Sequence, residues 1–256
     1  GVLLADYIIE SRKELGIMPK NPAIIRSIVT SPFVDHIAEA QGIYLAECLT
    51  GFKWIASVMS EFEKTQSHSY IFGFEESYGY NIETEVRDKD GISAAALCAE
   101  MTLYWQSMGL SILDRLEKLF EIYGYHEDAA ISKTFLGSSG AQQMKDLMKM
   151  LREDGLKEIA GIKVRKIRDI EESIIYNPHN PSEKTKIDLP KSNVLQFFME
   201  NDAIISVRPS GTEPKIKFYV NAVVKNKKLD EAKTEIRLFV QKIEEEIEAI
   251  LNKISQ

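Results

Sequence analysis

In this chain of 256 residues cysteine is scarce, long apolar runs are missing, and the 39 acidic residues outnumber the 32 lysines and arginines. Its two cysteines, Cys48 and Cys98, form no Cys-x-x-Cys motif, so we expect two reduced thiols rather than a disulfide framework. No apolar run approaches the roughly 20 residues that a membrane-spanning helix needs, and the first residues lack a signal-peptide pattern. The formal net charge of -7 disfavours nucleic-acid binding. These absences predict a cytoplasmic protein that binds neither membranes nor nucleic acid.

Metal-ligating patterns are also missing. The four histidines, at positions 36, 68, 126 and 179, have no metal-ligand spacing. Asp88 and Asp90 flank a lysine and precede an apolar helical segment, which is more typical of a helix start than of a metal loop. We therefore predict no metal site in this chain.

The pattern of apolar residues predicts two domains. Over residues 1–124, apolar runs at 23–30, 43–47 and 69–72 alternate with helical stretches at 32–40, 51–63 and 91–105, which predicts a mostly parallel sheet between helices. Over residues 125–256, a strand, a helix at 141–152, three further strands and a long final helix predict a smaller α+β domain with an antiparallel sheet and two helices. We expect residues 177–186 to form a surface loop, because they are polar and Asn-Pro occurs twice. In the 91–105 helix, the spacing predicts a core-facing side made of Ile92, Ala95, Ala96, Ala99, Leu103 and Tyr104.

The stretch Arg208-Pro209-Ser210-Gly211-Thr212-Glu213-Pro214-Lys215 concentrates phosphate-binding groups in one turn. A guanidinium can bind two phosphate oxygens, hydroxyls can donate hydrogen bonds, and glycine lets main-chain N–H groups approach an anion. Apolar runs at 204–207 and 216–220 predict a strand on each side. The alternative is an ordinary Pro/Ser/Gly turn.

A second polar loop follows the predicted strand at 69–72. Its residues Gly73-Phe74-Glu75-Glu76-Ser77-Tyr78-Gly79-Tyr80 place two carboxylates and a hydroxyl between glycines. Carboxylates accept hydrogen bonds from sugar hydroxyls, and ligands bind open α/β sheets at the carboxyl ends of the strands. The alternative is a solvated surface turn.

Together with two further strings, these two polar loops resemble the α-D-phosphohexomutase superfamily. The further strings are Leu49-Thr50-Gly51-Phe52-Lys53-Trp54-Ile55 and Arg87-Asp88-Lys89-Asp90-Gly91. The similarity is to its bacterial phosphoglucomutase/phosphomannomutase branch, which includes phosphopentomutase-like members. In order and spacing, the strings resemble the third and fourth of that family's four domains. The resemblance implies a sugar-binding domain at 1–124 and a phosphate-binding domain at 125–256.

The resemblance also implies roles for individual residues. It assigns the phosphate anchor to Arg208, Ser210, Gly211, Thr212 and Lys215, and the reading of sugar hydroxyls to Glu75 and Ser77, with Glu76 beside them. Lys89 is the candidate for neutralising phosphoryl charge or assisting proton transfer, and Lys53 and Arg87 are further candidate contacts; an exposed structural role is the alternative for these three cations. Some relatives carry a histidine where this chain has Phe52, or Gly79 or Tyr80, so the general acid/base stays unassigned.

Two family strings do not occur in this sequence: the Thr-Ala-Ser-His-Asn-Pro-like segment with the phosphorylated serine, and the Asp-Gly-Asp-x-Asp-Arg magnesium loop. We therefore expect the C-terminal half of a mutase, inactive alone, with Mg²⁺ ligands in a preceding half and glucose 1,6-bisphosphate as activator. The ligand would be a small sugar phosphate, and the oligomeric state is left open. A phosphopentomutase and a non-catalytic sugar-phosphate binding module are the alternatives.

Overall fold

The structure, a computed structural model, describes residues 1–135, 140–210, 213 and 215–254. The chain splits into two compact units, Gly1–Tyr123 and Gly124–Gln256. Among the helices described, none is long and apolar enough to cross a membrane.

The first unit alternates helices and strands around one sheet. Its elements in chain order are α1 (Val2–Glu14), β1 (Pro22–Ser27), α2 (Phe33–Gln41), β2 (Tyr44–Cys48), α3 (Phe52–Thr65), β3 (Ser69–Phe74), β4 (Tyr80–Asn81), α4 (Gly91–Ser107) and α5 (Ile112–Tyr123). The strand order is β2-β1-β3-β4, with β1 parallel to both β2 and β3 and the short β4 antiparallel to β3. This confirms the predicted mostly parallel sheet.

Both faces of that sheet are buried by helices. Side chains alternate along a strand, so neighbouring residues of β1 serve different cores. Ile24 packs in one cluster with Ile37 of α2, while Ala23 and Ile25 pack in another with Ile55 of α3. A parallel sheet covered on both faces is expected to contain nearly continuous apolar runs, such as residues 22–25 of β1.

The second unit is built on an antiparallel sheet with two helices. Its elements are β5 (Tyr125–Thr134), α6 (Gly140–Asp154), β6 (Glu158–Ile159), β7 (Ile162–Asp169), β8 (Ile174–Asn177), β9 (Asn180–Lys186), β10 (Leu195–Met199), β11 (Ile204–Pro209), β12 (Lys215–Val224) and α7 (Leu229–Ile254). The strand order is β5-β12-β11-β10-β7-β8-β9, and β6 pairs with β7. Leu147 and Leu151 of α6 share one core with Ile243 of α7 and with Phe197 and Ile205 of the sheet. This confirms the predicted α+β class, with more strands than the sequence pattern indicated.

The loop predicted at 177–186 is wrong, although most of these residues lie at the surface, as predicted. They form the turn of the β8–β9 hairpin and all of β9, which pairs with β8 through Ile174 with Lys186 and Tyr176 with Lys184. Every residue of β9 is exposed. Because an edge strand exposed on both sides needs no apolar residues, the alternation that usually marks a strand is missing here.

The predicted core side of α4 is also wrong. Its buried residues are Ala94, Met101 and Trp105, whereas Ile92 and Leu103 are 84% and 67% exposed. Apolar residues occupy more than one side of this helix, so helical spacing alone cannot select the buried side.

The two free cysteines differ in burial, and their reactivity should differ accordingly. Cys48 is buried at the end of β2, and burial, followed by the negative charge of Glu75, raises the pKa of its thiol to about 12; Cys98 is exposed on α4. We expect a thiol reagent at pH 8 to modify about one equivalent rapidly in the native chain and both thiols after unfolding, because the thiolate is the reactive species.

A disulfide reagent that releases a coloured thiolate would measure how many thiols are modified and how fast. Cys98→Ser is the control, because it removes the thiol that reacts rapidly. Rapid modification of both thiols in the native chain would contradict the burial of Cys48.

Candidate functional site

In the first unit, polar loops meet at one edge of the sheet. The strands β1, β2 and β3 are parallel, so the segments that follow them, beginning at Ile28, Leu49 and Glu75, leave the same edge. Ligands bind open α/β sheets at this edge. Glu75, Glu76 and Ser77 lie there, with both glutamates half-buried and Ser77 exposed.

Glu75 joins the loop after β3 to the loop after β2. Its Oε1 accepts a short hydrogen bond from the backbone N–H of Gly51, the residue that caps the N-terminus of α3. A carboxylate is favourable at a helix N-terminus, where backbone N–H groups are unpaired and the helix dipole is positive. Gly51 has a φ of 110°, which a side chain would strain. The Thr-Gly segment and the Glu-Glu-Ser segment therefore form one connected surface.

Glu76 is braced by the end of β1. Its Oε2 accepts from Ser27 Oγ at 3.2 Å, and its Oε1 accepts from Ser77 Oγ at 3.0 Å. Ser27 Oγ is in turn 2.9 Å from Thr30 Oγ1, and both residues are buried. Glu76 thus fixes the loop against the sheet and orients the Ser77 hydroxyl.

A buried arginine, Arg26, holds the turn between Ser27 and Thr30. Arg26 Nη1 donates to the carbonyls of Ser27 at 3.1 Å and Thr30 at 3.4 Å. Its guanidinium also pairs with Asp35 at 2.5 Å and Glu47 at 3.0 Å, so the buried charge is compensated. Since a guanidinium is planar with fixed donors, the turn has little freedom to move.

Lys89 lies beside Gly79, in the loop that carries Glu75, Glu76 and Ser77. Its Nζ is 5.7 Å from the centre of the Phe52 ring and 3.1 Å from Asp88 Oδ1, on an exposed side chain. A Cβ at Gly79 would come within 2.5 Å of Phe52 Cε2 and 3.5 Å of Lys89 Cδ, so Gly79 permits this close approach. The structure therefore brings Lys89 together with the Thr-Gly and Glu-Glu-Ser loops.

Lys53 and Arg87 make their contacts on α3. Lys53 Nζ is 5.1 Å from the centre of the Trp54 ring, and Arg87 forms an ion pair with Glu63. Both cations are exposed, and nothing in these contacts links either of them to Glu75 or Ser77. Their assignment as ligand contacts stays a prediction.

A buried amide fixes the segment that carries Lys89. Asn81, 1% exposed, donates from Nδ2 to the carbonyls of Val86 at 2.7 Å and Asp88 at 2.8 Å. The Tyr70 hydroxyl lies 2.7 Å from Asn81 Oδ1, and burial raises the pKa of that hydroxyl, which keeps it a donor. Asp90 then starts α4 by accepting from the Ile92 N–H at 2.9 Å, as the predicted helix start requires. One side chain thus holds the backbone on both sides of Arg87 and next to Lys89.

In the second unit, the predicted phosphate loop joins two adjacent antiparallel strands. Arg208 lies near the end of β11 and Lys215 begins β12, both half-buried. The Ser210 N–H donates to the Lys215 carbonyl at 2.7 Å, and Ser210 Oγ accepts from the Glu213 N–H at 3.3 Å. Gly211 and Thr212, also assigned to the anchor, lie outside the described residues.

Sequence reasoning missed the residues that position the loops. The apolar run at 23–30 predicts one strand that includes Ser27 and Thr30, but β1 ends at Ser27. For Asn81 the sequence shows only a polar residue beside a predicted loop. Within residues 1–135, 140–210, 213 and 215–254, no three His, Cys, Asp or Glu side chains are placed to hold a metal ion.

Comparison with known proteins identifies the family of this chain. A family model described as phosphoglucomutase/phosphomannomutase, alpha/beta/alpha domain III, matches residues 1–123, and the model of the C-terminal domain of the same family matches residues 141–239. The chain therefore belongs to the phosphoglucomutase/phosphomannomutase family of the α-D-phosphohexomutase superfamily and comprises its third and fourth domains. This confirms the family predicted from the motifs.

Individual relatives show the same correspondence. The phosphoglucomutase of Staphylococcus aureus strain MRSA252 is 36% identical over 221 residues, 86% of this chain and 39% of the relative. That of Staphylococcus haemolyticus strain JCSC1435 is 35% identical over 226 residues, 88% of this chain and 40% of the relative. The chain thus spans about two fifths of the length of these relatives.

Solved structures share the fold. The open form of the Paramecium phosphoglucomutase pp63/parafusin aligns with a TM-score of 0.57 and 19% identity over 95% of this chain and 41% of that one. A phosphoglucomutase/phosphomannomutase family protein from Burkholderia thailandensis aligns with a TM-score of 0.55 and 13% identity over 99% of this chain and 41% of that one.

The Asn81 contacts generate a test of loop positioning. Asn81→Ala should lower the free energy of unfolding by about 1 to 3 kcal/mol, because two backbone carbonyls lose their amide donor. It should also accelerate amide hydrogen exchange at residues 84–90 selectively. Urea unfolding and exchange mass spectrometry would measure both effects.

Gln106→Ala, at an exposed position of α4, is the control and should change neither quantity. Unchanged exchange at 84–90 in Asn81→Ala would show that the amide does not hold this segment.

Proposed function

We propose that this chain is the ligand-recognising half of a phosphohexomutase that interconverts sugar 1-phosphates and 6-phosphates, with glucose phosphates as the first choice and mannose phosphates as the second. The observation that supports it most directly is the joining of Glu75, Glu76, Ser77 and Lys89 at the carboxyl edge of the parallel sheet. Carboxylates and a hydroxyl suit a polyol, and a nearby ammonium suits a phosphoryl group.

The reaction requires recognition that tolerates two orientations of the ligand. A phosphoserine donates its phosphoryl group to the free hydroxyl of the sugar monophosphate, giving a bisphosphate. The same serine oxygen then accepts the phosphoryl group from the other position. The bisphosphate must bind in both orientations, so a fixed phosphate anchor and a less selective hydroxyl reader are needed.

The proposal divides these tasks between the two units. Arg208, Ser210, Gly211, Thr212 and Lys215 would hold the phosphate that is not reacting. Glu75 and the Ser77 hydroxyl oxygen would accept hydrogen bonds from the sugar hydroxyls, while Glu76 keeps Ser77 in place by accepting the hydrogen bond that Ser77 Oγ donates. Lys89 would neutralise charge on the phosphoryl group; the residue that moves the hydroxyl proton stays unassigned.

In this proposal the serine, the Mg²⁺ ligands and the activation by glucose 1,6-bisphosphate belong to the longer protein. Mg²⁺ would supply neutralisation of phosphoryl charge there. The inactivity of this chain alone and its cytoplasmic location stay predictions. We expect interconversion of glucose 1- and 6-phosphate by the longest product of the gene, with Mg²⁺ and glucose 1,6-bisphosphate, and none by the 256-residue chain, which should nevertheless bind both sugar phosphates.

A coupled assay and calorimetry, run also with mannose and ribose phosphates, would separate the alternatives. Turnover of ribose phosphates alone would favour a phosphopentomutase. Binding without turnover in either protein would favour a binding module, and absence of binding would contradict the proposal.

Arg208→Ala tests the phosphate anchor. It should weaken binding of both glucose 6-phosphate and inorganic phosphate to this chain by about 2 to 4 kcal/mol, as expected for the loss of a charge-assisted bidentate contact. Arg165→Ala is the matched control, because Arg165 is an exposed arginine of the same sheet that pairs with Asp202 at 3.2 Å. Unchanged affinity in Arg208→Ala would remove Arg208 from the site.

Glu75→Gln tests the hydroxyl reader. The amide oxygen can still accept from the Gly51 N–H, so the fold should be preserved while the charge is lost. We expect glucose phosphates to bind more weakly by about 1.5 to 3 kcal/mol and inorganic phosphate to bind as before. Calorimetry measures both, with Glu61→Gln on the exposed side of α3 as the control. Equal loss for sugar phosphate and phosphate would indicate misfolding instead.

A further inference from the structure

A groove with a volume of about 470 Å³ lies in the second unit beside the β8–β9 hairpin. Its floor is formed by the hairpin, and its wall by the end of α6 and the segment that follows it, from Arg152 to Lys157. The volume is within the range typical of small-molecule sites. The residues that line the groove are distinct from those of the sugar and phosphate loops described above.

The groove exists because the helices cover only part of the sheet. The register places Ile167 of β7, Tyr176 of β8 and Lys184 of β9 side by side on one face. Ile167 is fully buried in the core that contains Leu151 of α6, Tyr176 is half-buried at the edge of that core, and Lys184 is exposed. The helix layer therefore ends between β7 and β9, and this face of the hairpin stays open.

The floor of the groove is apolar and contains an aromatic ring. Ile174 and Tyr176 are half-buried, and Pro178, in the turn of an otherwise polar hairpin, is buried. Among the residues that the structure describes, the Tyr176 hydroxyl has no hydrogen-bond partner, and burial, followed by the charge of Asp169, raises its pKa, which keeps it a donor. A flat apolar surface of this kind can stack against a planar ring.

Two lysines of the groove lack a compensating charge. Lys157 lies on the wall and Lys184 on the floor, and both are exposed. No carboxylate within the described part of the chain forms an ion pair with either lysine. Arg152, which also lines the groove, is by contrast engaged by Asp169 at 3.0 Å and by Glu171 at 2.8 Å. The ammonium groups of the two lysines are therefore available to an anion in the groove.

Carboxylates complete the lining. Glu153, at the end of α6, and Glu172, in the turn between β7 and β8, both line the groove and are exposed. Glu153 pairs with Lys149 at 3.7 Å, which leaves most of its acceptor capacity unused. Carboxylates accept hydrogen bonds from hydroxyl groups, so these two residues suit a ligand that carries hydroxyls as well as an anionic group.

We propose that this groove binds a nucleoside phosphate. The base stacks on Tyr176, the ribose hydroxyls donate to Glu172, and the phosphate oxygens accept hydrogen bonds from Lys157 and Lys184. A nucleotide combines a planar ring, hydroxyls and an anionic group in one small molecule, which are the three chemical features that the lining complements. The proposal goes beyond the proposed function and does not rest on it, because the two sites share no residue.

AMP is the probe, and titration calorimetry of the 256-residue chain measures its affinity. Ribose 5-phosphate is the matched ligand, because it lacks the base. We expect AMP to bind about tenfold more tightly than ribose 5-phosphate, since stacking of a base on an aromatic side chain contributes about that factor. Both titrations are run with and without excess glucose 6-phosphate, which should not displace AMP.

Variants of the groove test its residues individually. Lys184→Gln should weaken AMP binding about tenfold, because one charge-assisted contact is lost while an exposed edge strand keeps its fold. Tyr176→Leu should weaken AMP binding and leave ribose 5-phosphate binding unchanged. Lys186→Gln is the matched control: Lys186 is an exposed lysine on the same strand and the same face, but it does not line the groove. Its replacement should leave AMP affinity unchanged.

The affinity ratios decide the outcome. AMP binding no tighter than that of ribose 5-phosphate would overturn the proposal, as would an equal loss in Lys184→Gln and Lys186→Gln, which would indicate only general electrostatic attraction. Displacement of AMP by glucose 6-phosphate would overturn it too, because AMP would then occupy the proposed sugar-phosphate site. If AMP binds through Lys184 but glucose 6-phosphate does not bind at all, the groove stands and the proposed function fails.

Discussion

Parallel hydrogen bonding of β1 with both β2 and β3 is the constraint on which the first unit depends. It forces three chain segments that are distant in sequence to leave the sheet at one edge. Polar groups in the segments at that edge need hydrogen-bond partners. They form hydrogen bonds with one another, Glu75 with Gly51 and Glu76 with Ser27. The same pairing that buries the apolar runs therefore also assembles the candidate sugar site.

Buried polar side chains give this edge a defined shape. Arg26 holds the turn after β1, and Asn81 holds the segment before α4, each by bonding backbone carbonyls. Such groups are costly to bury without partners and rigid when fully bonded. The proposed recognition of sugar hydroxyls requires such rigidity, because it depends on side chains whose positions are fixed before the ligand arrives.

The sequence patterns predicted the features that depend on residues close together in the sequence. Glu75, Glu76 and Ser77 form a continuous string, and alternation of apolar runs with helices is enough to predict a parallel sheet. The partners of that string could not be predicted, because the contact of Glu76 with Ser27 depends on how distant strands align.

The error in the predicted buried side of α4 also arises from contacts between residues distant in the sequence. In α4, the larger side chains Met101 and Trp105 are buried while Ile92 is exposed, so tertiary packing selected between apolar sides of one helix.

The β8–β9 hairpin has a consequence for how molecules of this protein behave towards one another. An exposed edge strand offers unpaired backbone groups to another chain, and natural edges are protected by charge and proline. β9, at the end of the strand order, contains Pro181, Lys184 and Lys186, and all its side chains are exposed. The polarity that made this segment resemble a loop thus also disfavours pairing of this edge with the sheet of a second molecule.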